Sequence, residues 1–369
     1  MYRRILLNRN LSFKERLKRF IVYYKARRGA RIAWKIRYRK AFSKHPDFKF
    51  AAEKPVERSH KAYWKPFHSR INLSTLRMCR SISGISDPKY IPEEIFRTDI
   101  EPTLNQTSSV EYLTYKSLYY QWFQGNIFPH DYFHNIDGGW LDQNLDSVTF
   151  DEVKSIAQNL KYPVVIKPNR DSSGGKDIYY PKDFDELMIL IKNKKDFLVQ
   201  EKIQQHSFFE QFNPHGINSL RTNVYRSVTD NRPHVVNTVL RMGVGGSLDN
   251  ETAGGVVSMV RNDGYLNGFA LDKYGKKYLI HPDTGANFKQ RIPDHKGLIK
   301  TSLDIAQKIF YARLICLDLC YDAEGKWRMI EVNINGATIR FAQYHGSRFF
   351  DQFTEEVYEY CLNHHWALK

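Results

Sequence analysis

The chain is poor in cysteine, and its four, Cys79, Cys316, Cys320 and Cys361, fall in no zinc or redox spacing. Neither a thiolate metal centre nor a disulfide framework organises it, and Cys316 and Cys320 read as reduced packing residues on one strand. No apolar run approaches the length of a bilayer span. The opening stretch, MYRRILLNRNLSFKERLKRF, is too often broken by charge to serve as a secretory leader, so a cytoplasmic protein is expected. Acidic residues are scarce at one end. Residues 1–70 hold 22 Lys and Arg against 4 Asp and Glu, so the net charge of +16 sits there and the remaining chain is close to neutral. That asymmetry disfavours a nucleic-acid footprint spread over the whole molecule. The G-x-x-x-x-G-K-[ST] phosphate loop is also missing.

What is present begins with a basic, aromatic segment. From Phe13 to Lys40 the pattern is helical, with Leu17, Phe20, Ile21 and Tyr24 in register and Gly29 marking a break. Cations interleaved with aromatics suit an anionic membrane surface or RNA, and equally a solvated helical pair covering the body. Residues 1–75 are read as this helical extension and 76–107 as a connecting segment without a motif.

At Ser108 a helix containing Lys116 is expected to run to a Gly125 cap, followed by a second helix from Phe150 to Leu160. The strand Pro163–Lys167 then leads into Ser172-Ser173-Gly174-Gly175-Lys176. Successive backbone N–H groups in such a loop form a concavity for phosphate. A short strand over Ile178–Tyr180 and a helix over Asp183–Lys192 precede the buried strand FLVQEKI, residues 197–203, whose end can offer N–H and C=O groups to a purine. Three strand-like runs follow, 221–228, 234–241 and 255–261. Arg221 and Arg241, at their ends, suit either an anion clamp or structural ion pairs. A helix over Asp294–Ala312 leads to ICLDLCYDAEGKWRMIEVNIN, two strands joined by a turn at Asp322–Gly325. Strand alternation puts Glu331 and Asn333 on one face, and hairpin pairing brings Asp318 beside them. That oxygen set suits magnesium, and it also fits a solvated strand face. An amphipathic segment from Arg348 to His364 closes the chain.

Together these pieces resemble an ATP-grasp enzyme. Within that superfamily they most resemble the sugar-transfer associated ATP-grasp group, through VQEKIQQHSFFEQFNPHGINSLRTNVY from Val199, LRMGVGGSLDNETAGGVVS from Leu240 and HPDTG from His281. The resemblance spans about residues 108–362. It implies an α+β fold of two β-rich lobes, 108–200 and 201–369, closing over ATP, with the basic helical extension outside it. It implies Lys116 and Lys167 at the phosphates and the adenine side, residues 172–176 over the triphosphate, and Glu201, Lys202 and Ile203 at the adenine edge and ribose. Asp318, Glu331 and Asn333 would hold two magnesium ions. Arg221 and Arg241, with Lys167, are the expected catalytic groups, and Asn218, Asp249, Asn250 and Asp283 belong to loops that are substrate-facing or structural. Leu317 stands where the family commonly has Trp, and Ile334-Asn335-Gly336-Ala337 replaces a Pro-Gly element. Neither change removes an oxygen ligand.

The implied activity is an ATP- and magnesium-dependent ligase. It would join a small-molecule or glycan carboxylate to an amine in cell-surface polysaccharide biosynthesis, for example a sugar acid to an amino acid. The alternatives are a phosphotransferase acting on a hydroxyl, and a non-catalytic lipid- or RNA-binding module. Residues 1–70 would rest on the inner membrane face.

Overall fold

The computed structural model describes residues 1–50, 52–105, 107–125, 127–170, 177–246 and 254–369, excepting the side chains of residues 107 and 108. Ser172, Ser173, Gly174, Gly175 and Lys176, and likewise Asp249 and Asn250, therefore lie outside the described residues.

Short β-branched runs bounded by turns build two antiparallel sheets, as expected of an α+β chain. The first contains β1 (Asp131–Ile136), β2 (Gly139–Asp142), β3 (Val164–Pro168) and β4 (Phe197–Glu201) in the order β2-β1-β4-β3. One face packs Phe133, Val164, Ile166 and Val199 against Val153 and Ala157 of the Phe150–Gln158 helix and Leu187 and Ile191 of the Phe184–Ile191 helix. The opposite face carries Lys167.

The second sheet contains β5 (Ser219–Arg226), β6 (Pro233–Met242), β7 (Val256–Val260), β8 (Ala270–Leu271), β9 (Lys277–Tyr278), β10 (Leu314–Tyr321) and β11 (Trp327–Asn333). Their order is β11-β10-β5-β6-β7-β8-β9. Leu220, Val224, Leu240, Leu317, Leu319 and Met329 share a core with Leu298, Ile305 and Ala306 of the His295–Gln307 helix. Period-two alternation sends Asp318 and Arg221 to the other face.

Several boundaries differ from expectation. The expected helix through Lys116 is instead a series of short turns, because the Lys116 N–H bonds to the carbonyl of Asn169 rather than to its own helix. Residues 178–180 contribute a single bridge, Ile166 to Tyr179. The helix expected over Asp294–Ala312 ends at Gln307, and the amphipathic segment Arg348–His364 contains a 3-10 turn and the helix Thr354–Asn363. Gly29 breaks nothing, for Phe13–Lys44 is one helix, started by a Ser12–Glu15 capping box. A helix-interior glycine costs only about 1 kcal/mol, and Tyr23, Arg27, Tyr38 and Ala41 anchor this helix on both sides of it. The extension is thus packed on the body. Asp99 is fully buried and accepts hydrogen bonds from Arg27 (2.9 Å) and Tyr23 (2.7 Å), with His365 Nε2 at 3.0 Å, joining both ends of the chain to the segment before the lobes.

Candidate active site

The hairpin at the centre of the site forms because Asp322 caps its turn, accepting from Glu324 and Lys326 N–H, while Gly325 takes a positive φ of 78°. Asp318 lies opposite Glu331 on the ladder and Cys316 opposite Asn333. A bulge between Asp318 and Leu319 absorbs the extra residue Ile330, so Arg328 and Glu331 both face the side that bears Asp318. The four cysteines are buried and free.

Asp318 is nearly inaccessible and is surrounded by donors. Arg221 grips it with two bonds of 2.8 Å, Arg241 Nη2 stands 3.3 Å away, and Asn333 donates at 3.2 Å. Burial alone would raise the Asp318 carboxyl, but the two guanidinium groups outweigh it and hold the pKa below the usual value. Glu331 pairs with Lys116 at 3.0 Å and keeps part of its surface exposed. Lys116 is positioned from across the molecule: Asn169, just after β3, accepts from the N–H of Lys116 at 3.0 Å and of Ser117 at 2.9 Å. The end of β3 and the hairpin are thereby brought together around two lysines.

Lys167 is buried, and burial pulls its ammonium down to about 8 despite the opposing pull of Asp131. Asp131 moves the other way, raised by burial, and accepts from Gln200 at 3.3 Å. His134 is buried beside them with Nε2 4.0 Å from Asp131, and neither ring nitrogen has a hydrogen-bond partner among the described residues. At the end of β4, Glu201 is held by His130 N–H and by Arg328, which also reaches Asp322 and the Phe128 carbonyl. Lys202 is exposed over the Tyr180 ring and Ile203 is buried.

The remaining residues singled out in the sequence are placed in loops. Asn218 is buried, its amide donating to Gln205, Phe209 and Asn213. Asp283 accepts from Gly245 N–H at 2.6 Å, tying two loops together. A cavity of about 730 Å³ beside Lys167 is lined by Asn169, Arg170, Lys194 and Lys195 among others. Sequence reading missed Asn105, Asn169, Arg328 and the Asp131–His134 pair. Only Arg328 left a trace, a lone cation alternating with apolar residues on the second hairpin strand.

The donor set fits a hard divalent cation. Two carboxylates and an amide share one face; Asp318 Oδ2 already takes Arg221, Arg241 and Asn333, so the lone pairs left for such a cation are on Asp318 Oδ1 and on Glu331.

Residues 184–355 match the family described as sugar-transfer associated ATP-grasp. No curated protein matches the chain. Among solved structures, the L-amino acid ligase from Bacillus licheniformis is 13% identical with a TM-score of 0.37, the match covering 61% of this chain and 41% of that one. The VanG D-Ala:D-Ser ligase from Enterococcus faecalis is 17% identical with a TM-score of 0.41, covering 69% and 63%. The ATP-grasp ligase PsnB complexed with minimal precursor is 12% identical with a TM-score of 0.39, covering 71% and 63%. The chain therefore spans less than two thirds of the length of each of these structures.

Proposed function

We propose that this ATP-grasp chain is a ligase that activates a carboxylate with ATP and joins it to an amine. One observation carries the reading: Asp318, Glu331 and Asn333 share a sheet face with Arg221 and Arg241 and meet Lys116 there. ATP-grasp enzymes use ATP with magnesium, which held by Asp318, Glu331 and Asn333 would neutralise phosphate charge.

In the proposed reaction a substrate carboxylate oxygen attacks the γ-phosphorus, the bond to the β-phosphate oxygen breaks, and ADP leaves. The amine nitrogen then attacks the acyl carbon, the bond to the phosphate oxygen breaks, and the nitrogen loses a proton. The products are an amide and inorganic phosphate. Lys116 and Lys167 would hold the triphosphate. Arg221 and Arg241 would orient the carboxylate and stabilise charge on the tetrahedral adduct. Glu201, Lys202 and Ile203 would line the adenine and ribose side.

The family's association with sugar transfer favours a sugar acid as the carboxylate, an amino acid as the amine, and a product destined for a cell-surface polysaccharide. ADP release measured across a panel of sugar acids and amino acids tests this, with Glu331→Ala as the control. Hydroxylamine trapping should yield a hydroxamate from the carboxylate substrate. A stable phosphoester of a hydroxyl substrate would instead make the chain a kinase, and absence of magnesium-dependent ATP binding would leave only a binding module.

A further inference from the structure

A cavity of about 590 Å³ opens where the Phe13–Lys44 helix meets the segment 68–72, and none of its lining residues belongs to either lobe. Arg28, Arg31 and Lys35 follow helical spacing and so share one face of that helix, while Arg70 lines the cavity from the other segment. Arg27, deeper in, is engaged by the buried Asp99. Arg28, Arg31, Lys35 and Arg70 have no ion-pair partner among the described residues. A carboxylate, Glu94, lies on the cavity wall and leaves the cations in excess; burial raises its pKa, and its Oε2 has no hydrogen-bond partner among the described residues. Four cations concentrated in one concavity match a ligand carrying more than a single negative charge.

The rest of the same helix indicates where such a ligand resides. Phe13, Leu17 and Ile21, then Ile32 and Ile36, recur at four-residue spacing and are all exposed, interspersed with Lys14, Lys18, Lys25 and Arg39. The exposed side of the helix therefore offers an anionic lipid surface both cations and apolar side chains to bury. A ligand free in solution would give that stripe nothing to bury against. We propose that the cavity is a binding site for a membrane-borne phosphomonoester or diphosphate headgroup, with the Phe13–Lys44 helix lying along the lipid surface. The proposal does not depend on the ligase reading, since vesicle binding is measured without nucleotide.

The test is flotation of the full-length protein with phosphatidylcholine vesicles containing phosphatidic acid, with phosphatidylglycerol vesicles matched in surface potential, and with phosphatidylcholine alone. Binding should favour phosphatidic acid. The double variant Arg31→Ala/Arg70→Ala should lose at least about tenfold more affinity than Lys14→Ala/Lys18→Ala, which removes the same charge from the same arm outside the cavity. Arg31→Lys/Arg70→Lys should recover part of the loss. All four positions are exposed, and unchanged circular dichroism melts verify folding. Equal losses in the two alanine pairs would overturn the site, as would equal binding to the two matched anionic vesicles. Inorganic pyrophosphate binding in solution by a protein that ignores vesicles would overturn the membrane source.

Discussion

Asp318 and Glu331 face each other across one ladder yet sit in different electrostatic settings. Asp318 is sealed in by Arg221, Arg241 and Asn333, while Glu331 meets Lys116 with part of its surface in water. Asp318→Asn should therefore lower stability by about 3 kcal/mol, because it leaves buried guanidinium groups without their counter-charge. Glu331→Gln takes the counter-charge from the buried Lys116 but at a partly exposed carboxylate, and should cost about 2 kcal/mol, yet reduce ADP release on the order of a hundredfold if the ligase reading holds. Urea denaturation beside the ADP assay separates the two. Lys167 adds a pH signature. Its ammonium is present below about 8 and is lost as pH rises through that value. Affinity for magnesium-ATP should then fall by about tenfold between pH 7 and pH 9, and calorimetry with Lys167→Met should give weak binding that is flat over the same range.

At the scale of the element, the hairpin was legible because its parts are local: an Asp-Ala-Glu-Gly turn, alternating apolar residues, and acids two or more positions apart on facing strands. What holds its open end was not legible. Asn105 donates to the carbonyls of Leu314 and Ile334 at 2.7 and 2.6 Å and accepts from the N–H groups of Arg313 and Leu314. A single asparagine in a segment without a motif carries no sign of partners some two hundred residues away. Asn105→Ala would strand buried backbone groups on both strands at the hairpin's open end and should cost about 3 kcal/mol. Amide exchange should quicken in β10 and β11 before it does in β3 and β4. Lys116 shows the same limit. Its identity was readable, but its conformation was set by Asn169, since a long-range bond to the Asn169 carbonyl replaced the local helical one.

For the whole molecule, the basic extension is tied into the structure through the buried Asp99. Burial raises the Asp99 carboxyl, but the His365 hydrogen bond and Arg27 outweigh it and hold its pKa below the ordinary value. With its folded pKa below the unfolded one, Asp99 contributes stability above about pH 4, and that contribution is lost as pH falls through the folded value. Asp318 acts in the same direction. Asp99→Asn should destabilise at pH 7 by about 3 kcal/mol and flatten the fall in urea midpoint between pH 6 and pH 3. Deleting residues 1–45 should likewise destabilise the body rather than remove an independent arm, because Asp99 would lose both Arg27 and Tyr23. A melting temperature unchanged by the deletion would count against this coupling.

The sequence by itself determined the strands, the hairpin that sets Asp318 opposite Glu331, and the charge asymmetry. Each follows from alternation, turn chemistry or composition, all of which act over a few residues or over the whole chain. Tertiary structure decided the rest: that Arg221 and Arg241 close on Asp318, that Asn169 delivers Lys116 to Glu331, and that the N-terminal helix runs unbroken against Asp99. Those outcomes depend on which buried charges meet across long loops. Their cost without a partner is several kcal/mol, enough to override local preference.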